Sequence, residues 1–587
     1  MSKNVQTLFF CFSVIFLFLI FAFNGVLTSY YIFHDDWSLF FLEKNNLIDT
    51  IKDHRYRAAH TEMGRPVGHA FFSIGPYFIE KLNDANFVRF FTLFLMSCFG
   101  TLLFKLLNTL NYNKFFSILF ICLFLITPPF YIISYQISGQ YIIFSLIFSA
   151  IFMLLYKNYY YDNNNFLKSR IGISLIISLI LFLLYFGFVV SARFFIIGIL
   201  YYILVYIFFY TIRNKISIDN KKIYYNFLLS FLLFLTFCIY AHATLVVIVF
   251  PILILFSLYD ENTSKYRIIY EYLFLVGATI FLYFITLKSF IIYENINSLI
   301  SGRRIQIDFN ILDKINFYFQ NVFTHALSLW RIDNSSKFLS YIIIFSSFIA
   351  SFFYFYKERN LKESLYSIFI IFLVLFLTIG PVILIKDNFF TPYRTLIGHT
   401  FILYFIPLYL MFSFFSKINF TKFTYFIIIP LFIYFNGHWP NKIINDYVIN
   451  PTETELNYIS KELDRNNVLE KINNGKKLKI YFNKLKNPSM HNNLIQNMAV
   501  LAQTGNIVPW VPEIIYSLFY EKYNLKYSLQ RRDINEKISY VNKNNVKIQI
   551  ISVDFPWGNL IYSSNIKDVF DMSELNSNIF IDMNEIK

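Results

Sequence analysis

Three stretches of this chain carry residue types that could do chemistry. The first is "YYIFHDDWSLF", residues 30–40, where His34, Asp35 and Asp36 stand side by side directly behind a long apolar run. Carboxylates near lipid are costly to bury, so they persist where they are paired, solvated or functional. In a functional setting one carboxylate acts as general base toward a hydroxyl. The other orients it or helps to hold a divalent cation such as Mg or Mn. Adjacent residues point in different directions on a helix or a strand, so both need not face one atom. An interfacial pair that merely caps the next helix is the alternative.

The second stretch is "TEMGRPVGHAFF", residues 61–72. Arg65 precedes Pro66, which predicts an extended backbone at Arg65 and a helix starting at Pro66. That geometry brings a guanidinium and the free N–H groups of a helix N-terminus to one place, which suits a phosphate. An interfacial helix whose Arg touches lipid headgroups fits the same residues. The third stretch is "KDNFFTPYRTLIGH", residues 386–399. Arg394 is either a second phosphate ligand, supplying charge as a bond to phosphate breaks, or an interfacial anchor. His399 is expected beside it at a surface.

Weaker signals come from His69, His242, and His325 with Arg331 in "FTHALSLWR". His325 and Arg331 share one long loop and are candidates for substrate binding, as are His34, His69 and His399. None of the histidines has zinc-type spacing, and no metal site is assigned. Arg193 in "SARFF" is a snorkelling anchor or part of a ligand pocket. Neither G-x-G-x-x-G nor a Walker A sequence occurs, which disfavours a nucleotide-linked donor or ATP.

The elements that must position these residues are membrane helices. Of 587 residues, 57% are hydrophobic and 15% charged, where a soluble chain carries about a quarter charged. Apolar runs are expected to span near 8–30, 86–108, 115–133, 138–156, 171–190, 193–212, 224–241, 243–259, 268–290, 338–356, 365–385, 398–416 and 423–438. That makes about 13 helices of bilayer length. In 224–259 the expected feature is a tight turn at Ala241-His242-Ala243 between two short spans. The first run is long and lacks a small-x-small cleavage site, so it is expected to be retained rather than cleaved as a signal peptide.

Lys and Arg concentrate in one set of short connections, among them "RNKISIDNKK", "KERNLKES" and "KINFTK". The positive-inside rule then sets the N-terminus in the cytoplasm, and loops 31–85 and 291–337 outside. The net charge of +15 is explained by these loops, not by a nucleic-acid partner. All four cysteines lie within apolar runs, which excludes a disulfide framework.

Residues 1–440 thus form the membrane part, and 441–587 a polar extracytoplasmic α/β domain. In the latter, "LKIYFN" and "VKIQIISVDF" read as buried strands. Thr452 and Glu455 form a capping box ahead of an apolar face made by Leu456, Ile459 and Leu463.

A span followed by an acidic pair in "FHDDWSLF", then "GRP" about thirty residues on in the same loop, resembles the GT-C superfamily of polytopic glycosyltransferases. The likeness is greatest to the bacterial GtrII-like glucosyltransferases that modify O-antigen. The resemblance implies a bacterial inner-membrane enzyme with a polyprenyl-phosphate-linked sugar donor and a glycan acceptor on the outer face. It implies Asp36 or Asp35 as base and maps the family's Gly-Arg onto Gly64 and Arg65. The rival expectations are a polysaccharide polymerase, which usually relies on Arg-rich outer loops, and a transporter or flippase of lipid-linked glycans. The latter would carry mid-span charge or broken helices.

Overall fold

The computed structural model describes residues 3–28, 46–53, 61, 64–79, 83–160, 170–216, 220–257, 265–294, 310–323, 326, 337–358, 361–379, 395–417, 440–483, 515, 518, 536–543, 546–555, 558–563 and 566–585. Seven helical stretches among them are long and apolar enough to cross a membrane, or up to eight if one bent pair counts as a crossing. The seven are Val5–Ala22, Asp84–Thr109, Gln140–Tyr160, Ile176–Phe208, Lys222–Phe256, Lys265–Tyr293 and Ile397–Phe414. The bent pair joins Lys114–Leu125 to Pro128–Tyr135 at 64°, where Pro128 and Pro129 begin the second helix. Helices Lys337–Glu358 and Leu361–Leu377 occupy two more of the expected spans. The expected span 423–438 lies outside the described residues.

Burial ranks these helices. Phe9, Phe10, Leu17, Phe274 and Phe281 are between 64% and 68% exposed, a bare aromatic and aliphatic face that suits lipid rather than water. Only 28% of the first span is buried, against 89% of Lys222–Phe256, which is therefore the central element.

That central element folds back on itself. Tyr240 leaves helical geometry (φ −157°, ψ 98°) within Asn220–Thr244, and a 3-10 turn, Leu245–Val249, leads into Phe250–Phe256. The Thr244 hydroxyl donates to the Thr236 carbonyl, 8 residues back, at 3.0 Å. On a straight helix that separation is about 12 Å. Tyr160 donates to Asn226, and Phe250 packs on Tyr156, one turn from Tyr160. Residues 226 and 250 thus share one end of the bundle, and Tyr240 marks the other. The bend falls one residue ahead of the expected turn at Ala241–Ala243. Ser191 (φ −154°, ψ 89°) bends Arg170–Ile216 in the same way, so that a β-carbon on Gly187 would collide with Phe195.

Polar contacts sort into two ends. At one end Lys222 pairs with Glu271 at 2.9 Å, Tyr112 donates to the Leu253 carbonyl at 2.6 Å, and Tyr266 to the Glu363 carbonyl at 3.1 Å. This is the end of the basic connections. The opposite end holds "GRP", the bends at Ser191 and Tyr240, and the Arg193–Glu294 pair at 2.9 Å.

Helix Pro66–Tyr77 enters the bundle at this second end. It approaches the central helix so closely that a β-carbon on Gly68 would collide with the Ile239 carbonyl. Small residues permit this backbone approach, the usual device where lipid supplies no hydrophobic drive between helices. Gly68→Val is expected to cost about 1–3 kcal/mol by overpacking. The check is the thermal unfolding midpoint in detergent, which should fall by several degrees while Gly277→Ala, with open space at its β-carbon, leaves it unchanged.

Among the described residues the C-terminal region forms a five-stranded sheet of order β2-β3-β4-β1-β5. Its strands are β1 (Leu478–Asn483), β2 (Glu536–Lys543), β3 (Val546–Phe555), β4 (Gly558–Ser563) and β5 (Ile579–Asp582). β1 runs parallel to β4 and β5, whereas β3 pairs antiparallel with β2 and β4. Alternation sends Ile480 and Phe482 to one face and Tyr481 to the other. Leu456, Ile459 and Leu463 of helix Asn450–Arg465 cover the first face, as their spacing requires.

The capping box at Thr452 is not the start of that helix. The chain is already helical from residue 440, and Ile443, Ile444 and Ile449 are buried in the bundle core, so no free N-terminus exists at Thr452. Nor is the sheet's core its own alone. Ile79, Ala85, Val88 and Ile137, from the "GRP" end of the bundle, join the cluster of Leu456, Ile480 and Phe482.

Candidate functional site

The described structure gathers its candidate site at Gly64-Arg65-Pro66. The Gly64 amide donates to the Thr61 carbonyl at 2.9 Å, closing a turn in which Gly64 takes φ +73°. A side chain there would be strained and would also meet the Tyr283 hydroxyl. That hydroxyl donates to the Gly64 carbonyl at 3.1 Å. The turn is therefore held from helix Lys265–Tyr293, and the helix begins at Pro66 as its fixed φ favours.

Arg65 lies half-buried, its Cζ 4.5 Å above the centre of the Tyr240 ring. Its Nε is buried and has no hydrogen-bond partner among the described residues. An N–H shielded from water and left without an acceptor costs free energy, which an incoming anion recovers. The platform beneath it is firm. Tyr240 is 2% exposed, with Tyr141 and His242 edge-on to its ring at 5.2 and 5.6 Å. Its carbonyl accepts a hydrogen bond from Ser145 at 3.1 Å, and the Thr244 hydroxyl oxygen lies at the same distance. The bend that interrupts the central helix thus presents an aromatic face to the guanidinium.

His69, a candidate for substrate binding, clamps two helices. It is fully buried, and its Nε2 donates to the Ile51 carbonyl at 3.1 Å. Ile51 belongs to the short helix Leu47–Asp53, which packs with Ala70 and Val190. His399 is likewise not at a surface. It is 0% exposed, with Nδ1 3.4 Å from the Thr378 hydroxyl and the rings of Tyr318 and Phe323 edge-on at 5.7 and 6.3 Å. Its neighbour Gly398 abuts Leu245, just past the Tyr240 bend, so helix Ile397–Lys417 starts against the same central feature. Arg193 binds both carboxylate oxygens of Glu294, at 2.9 and 3.2 Å, which commits its charge to an ion pair.

His34, Asp35, Asp36, His325, Arg331 and Arg394 lie outside the described residues. The segments flanking the acidic stretch are described. Before it, the Gly25 amide donates to Asn441 Oδ1 at 2.7 Å, tying the end of the first helix to the entry of the C-terminal region. After it, Leu47–Asp53 is tied through Ile51 to the "GRP" helix.

Two features escaped sequence reasoning. Arg89 is completely buried, with Nε donating to the Tyr135 carbonyl at 3.1 Å and Nη1 to Asn86 Oδ1 at 3.3 Å. A cation inside the apolar run "NFVRFFTL" was a usable signal. Tyr240 gave none, because tyrosine is abundant throughout the chain. No protein-family model matches this chain, and no curated protein matches it.

Proposed function

We propose that the protein is an integral-membrane glycosyltransferase of the GT-C kind, using a lipid-phosphate-linked sugar donor. The observation that carries the reading is Arg65. Its guanidinium is held on the Tyr240 ring with a buried N–H that has no partner among the described residues, at the bundle end shared by the segments that flank Asp35 and Asp36. The donor's isoprenoid chain lies along the apolar helices, and its phosphate takes the donors of Arg65, with Arg394 as a second cation.

Asp36 (or Asp35) removes the proton of an acceptor hydroxyl. The resulting oxygen attacks the anomeric carbon from the side opposite phosphate, and the carbon–oxygen bond to phosphate breaks. The bonding pair leaves with polyprenyl phosphate, and the anomeric configuration inverts. Phosphate needs little further activation once it is paired with arginine, so the rate rests on base, positioning and charge stabilisation. The end bearing Arg65 faces the extracytoplasmic side of a bacterial inner membrane, and the sheet lies beside a glycan acceptor such as O-antigen.

A second reading, a carrier of lipid-linked glycans, has the bends at Ser191 and Tyr240 and the 64° pair in its favour, since transporters use interrupted helices. One assay separates them: membranes containing the protein receive radiolabelled polyprenyl-phosphate glucose and an O-antigen lipid acceptor. Label in the acceptor supports the enzyme. Donor that crosses sealed vesicles without ever entering the acceptor gives the carrier reading instead.

A further inference from the structure

Between Ile223 and Phe256, His242 is the one side chain, apart from tyrosine and cysteine, that can ionise. An ionisable group inside so apolar a stretch is costly to bury and marks a site of function more often than a site of packing. The fold puts it at a particular place. It lies two residues beyond the Tyr240 bend, half-buried, with its imidazole 5.6 Å from the Tyr240 ring centre and inclined at 70°. Arg65 lies over that same tyrosine ring at 4.5 Å. The two distances limit the guanidinium carbon and the imidazole centre to a separation of about 10 Å, which one phosphate group with charge-assisted hydrogen bonds on two sides can span. Among the described residues, the charged and titratable groups around this point include Arg65, Tyr240 itself, Tyr141 from helix Gln140–Tyr160 and Tyr283 from helix Lys265–Tyr293.

We propose that His242 is a second anion ligand of the Arg65 site, binding a phosphate ester when its imidazole is protonated. The inference rests on the phosphate reading of Arg65 and adds to it an acid-sensitive half. Imidazole ordinarily titrates between pH 5 and 8, whereas guanidinium keeps its charge throughout. Arg65 therefore holds the anion at every pH, and His242 adds a charged donor only on the acid side. Such a pair also discriminates between the two phosphates of a transfer reaction. A diester donor carries one negative charge, while the monoester that leaves carries more, about 1.5 to 2 at neutral pH. The second cation then favours the leaving group over the donor and makes product release faster as pH rises.

The test is direct binding of hexyl methyl phosphate, a diester that stays a monoanion from pH 5.5 to 8, to the purified full chain in lipid nanodiscs. Titration calorimetry at both ends of that range should give about tenfold tighter binding at pH 5.5, the worth of one charge-assisted hydrogen bond. His242→Gln should hold the pH 8 affinity at both pH values, and His242→Arg the pH 5.5 affinity. Arg65→Gln should weaken binding at both ends while keeping the tenfold ratio. An undiminished acid gain in His242→Gln overturns the role of His242 and leaves Arg65 standing. Equal affinity in native protein and Arg65→Gln, or no binding by the native protein at either pH, removes the phosphate reading itself.

Discussion

Asp36→Asn is expected to leave the protein folded and inserted while sugar transfer falls by about a thousandfold, within the usual worth of a positioned general base. Asparagine keeps the size and polarity of the side chain but cannot take the acceptor's proton. Donor binding should be nearly unchanged, because the phosphate is assigned to arginine. The loss therefore belongs to kcat, with KM for the lipid donor moving less than about threefold. Asp35→Asn serves as the internal comparison, with a loss of about tenfold if that carboxylate only orients the acceptor. The measurement is initial-rate transfer of radiolabel in membranes, normalised to protein by immunoblot. Native rates in both variants would remove the base assignment. A thousandfold loss in Asp35→Asn alone would exchange the two roles. The fold helps to interpret a partial loss, since the segments on either side of this stretch are tied down through Gly25–Asn441 and His69–Ile51. A loose variant should show faster amide exchange in Leu47–Asp53, and Asp36→Asn should not.

Substitution of Arg65 should have the next largest effect. Removing one preorganised donor from a developing oxyanion costs about 2.7–4 kcal/mol, or roughly 100- to 1,000-fold in rate. Arg65→Gln is expected to fall in that range in kcat/KM for the donor, with KM rising as well, because the phosphate is bound before it leaves. Arg65→Lys should recover only about a tenth of the native rate. Lysine restores charge but neither the planar stack on Tyr240 nor the forked donors that fit phosphate. Stability should change little, by about 1 kcal/mol for a single cation–π contact. A sharp drop in thermal midpoint for Arg65→Lys would mean that Arg65 serves packing rather than phosphate. Tyr240→Leu tests the same arrangement from below, since it removes the platform and keeps the charge. Its rate should lie between those of native protein and Arg65→Gln.

How much of this was legible in the sequence differs from residue to residue. Pro66 as a helix start follows from local backbone chemistry and stands in the structure, whereas the left-handed turn at Gly64 was found only there. The strands Leu478–Asn483 and Val546–Phe555 follow from short apolar runs with β-branched residues. The misplacements share one cause. Thr452 and Glu455 have the right spacing for a cap, but the chain arrives already helical from residue 440. His399 has the composition of a surface residue, yet neighbouring helices close over it. Each error comes from treating a segment as if it stood alone.

The sequence by itself determined that the chain is built from apolar helices of membrane length, with its positive loops gathered on one set of connections. It also determined that its acidic pair and its Gly-Arg-Pro lie between the first and second of those runs. Apolar run length, charge and proline geometry are local properties, so they are written in order along the chain. The tertiary structure alone decided that Arg65 rests on Tyr240, that His242 stands beside that ring, and that Tyr283 pins Gly64. It alone joined the sheet's core to Ile79, Val88 and Ile137. Those partners are distant in sequence and are brought together by which helices pack side by side. That choice is made by close approaches such as Gly68 on Ile239, which no periodicity in the chain announces.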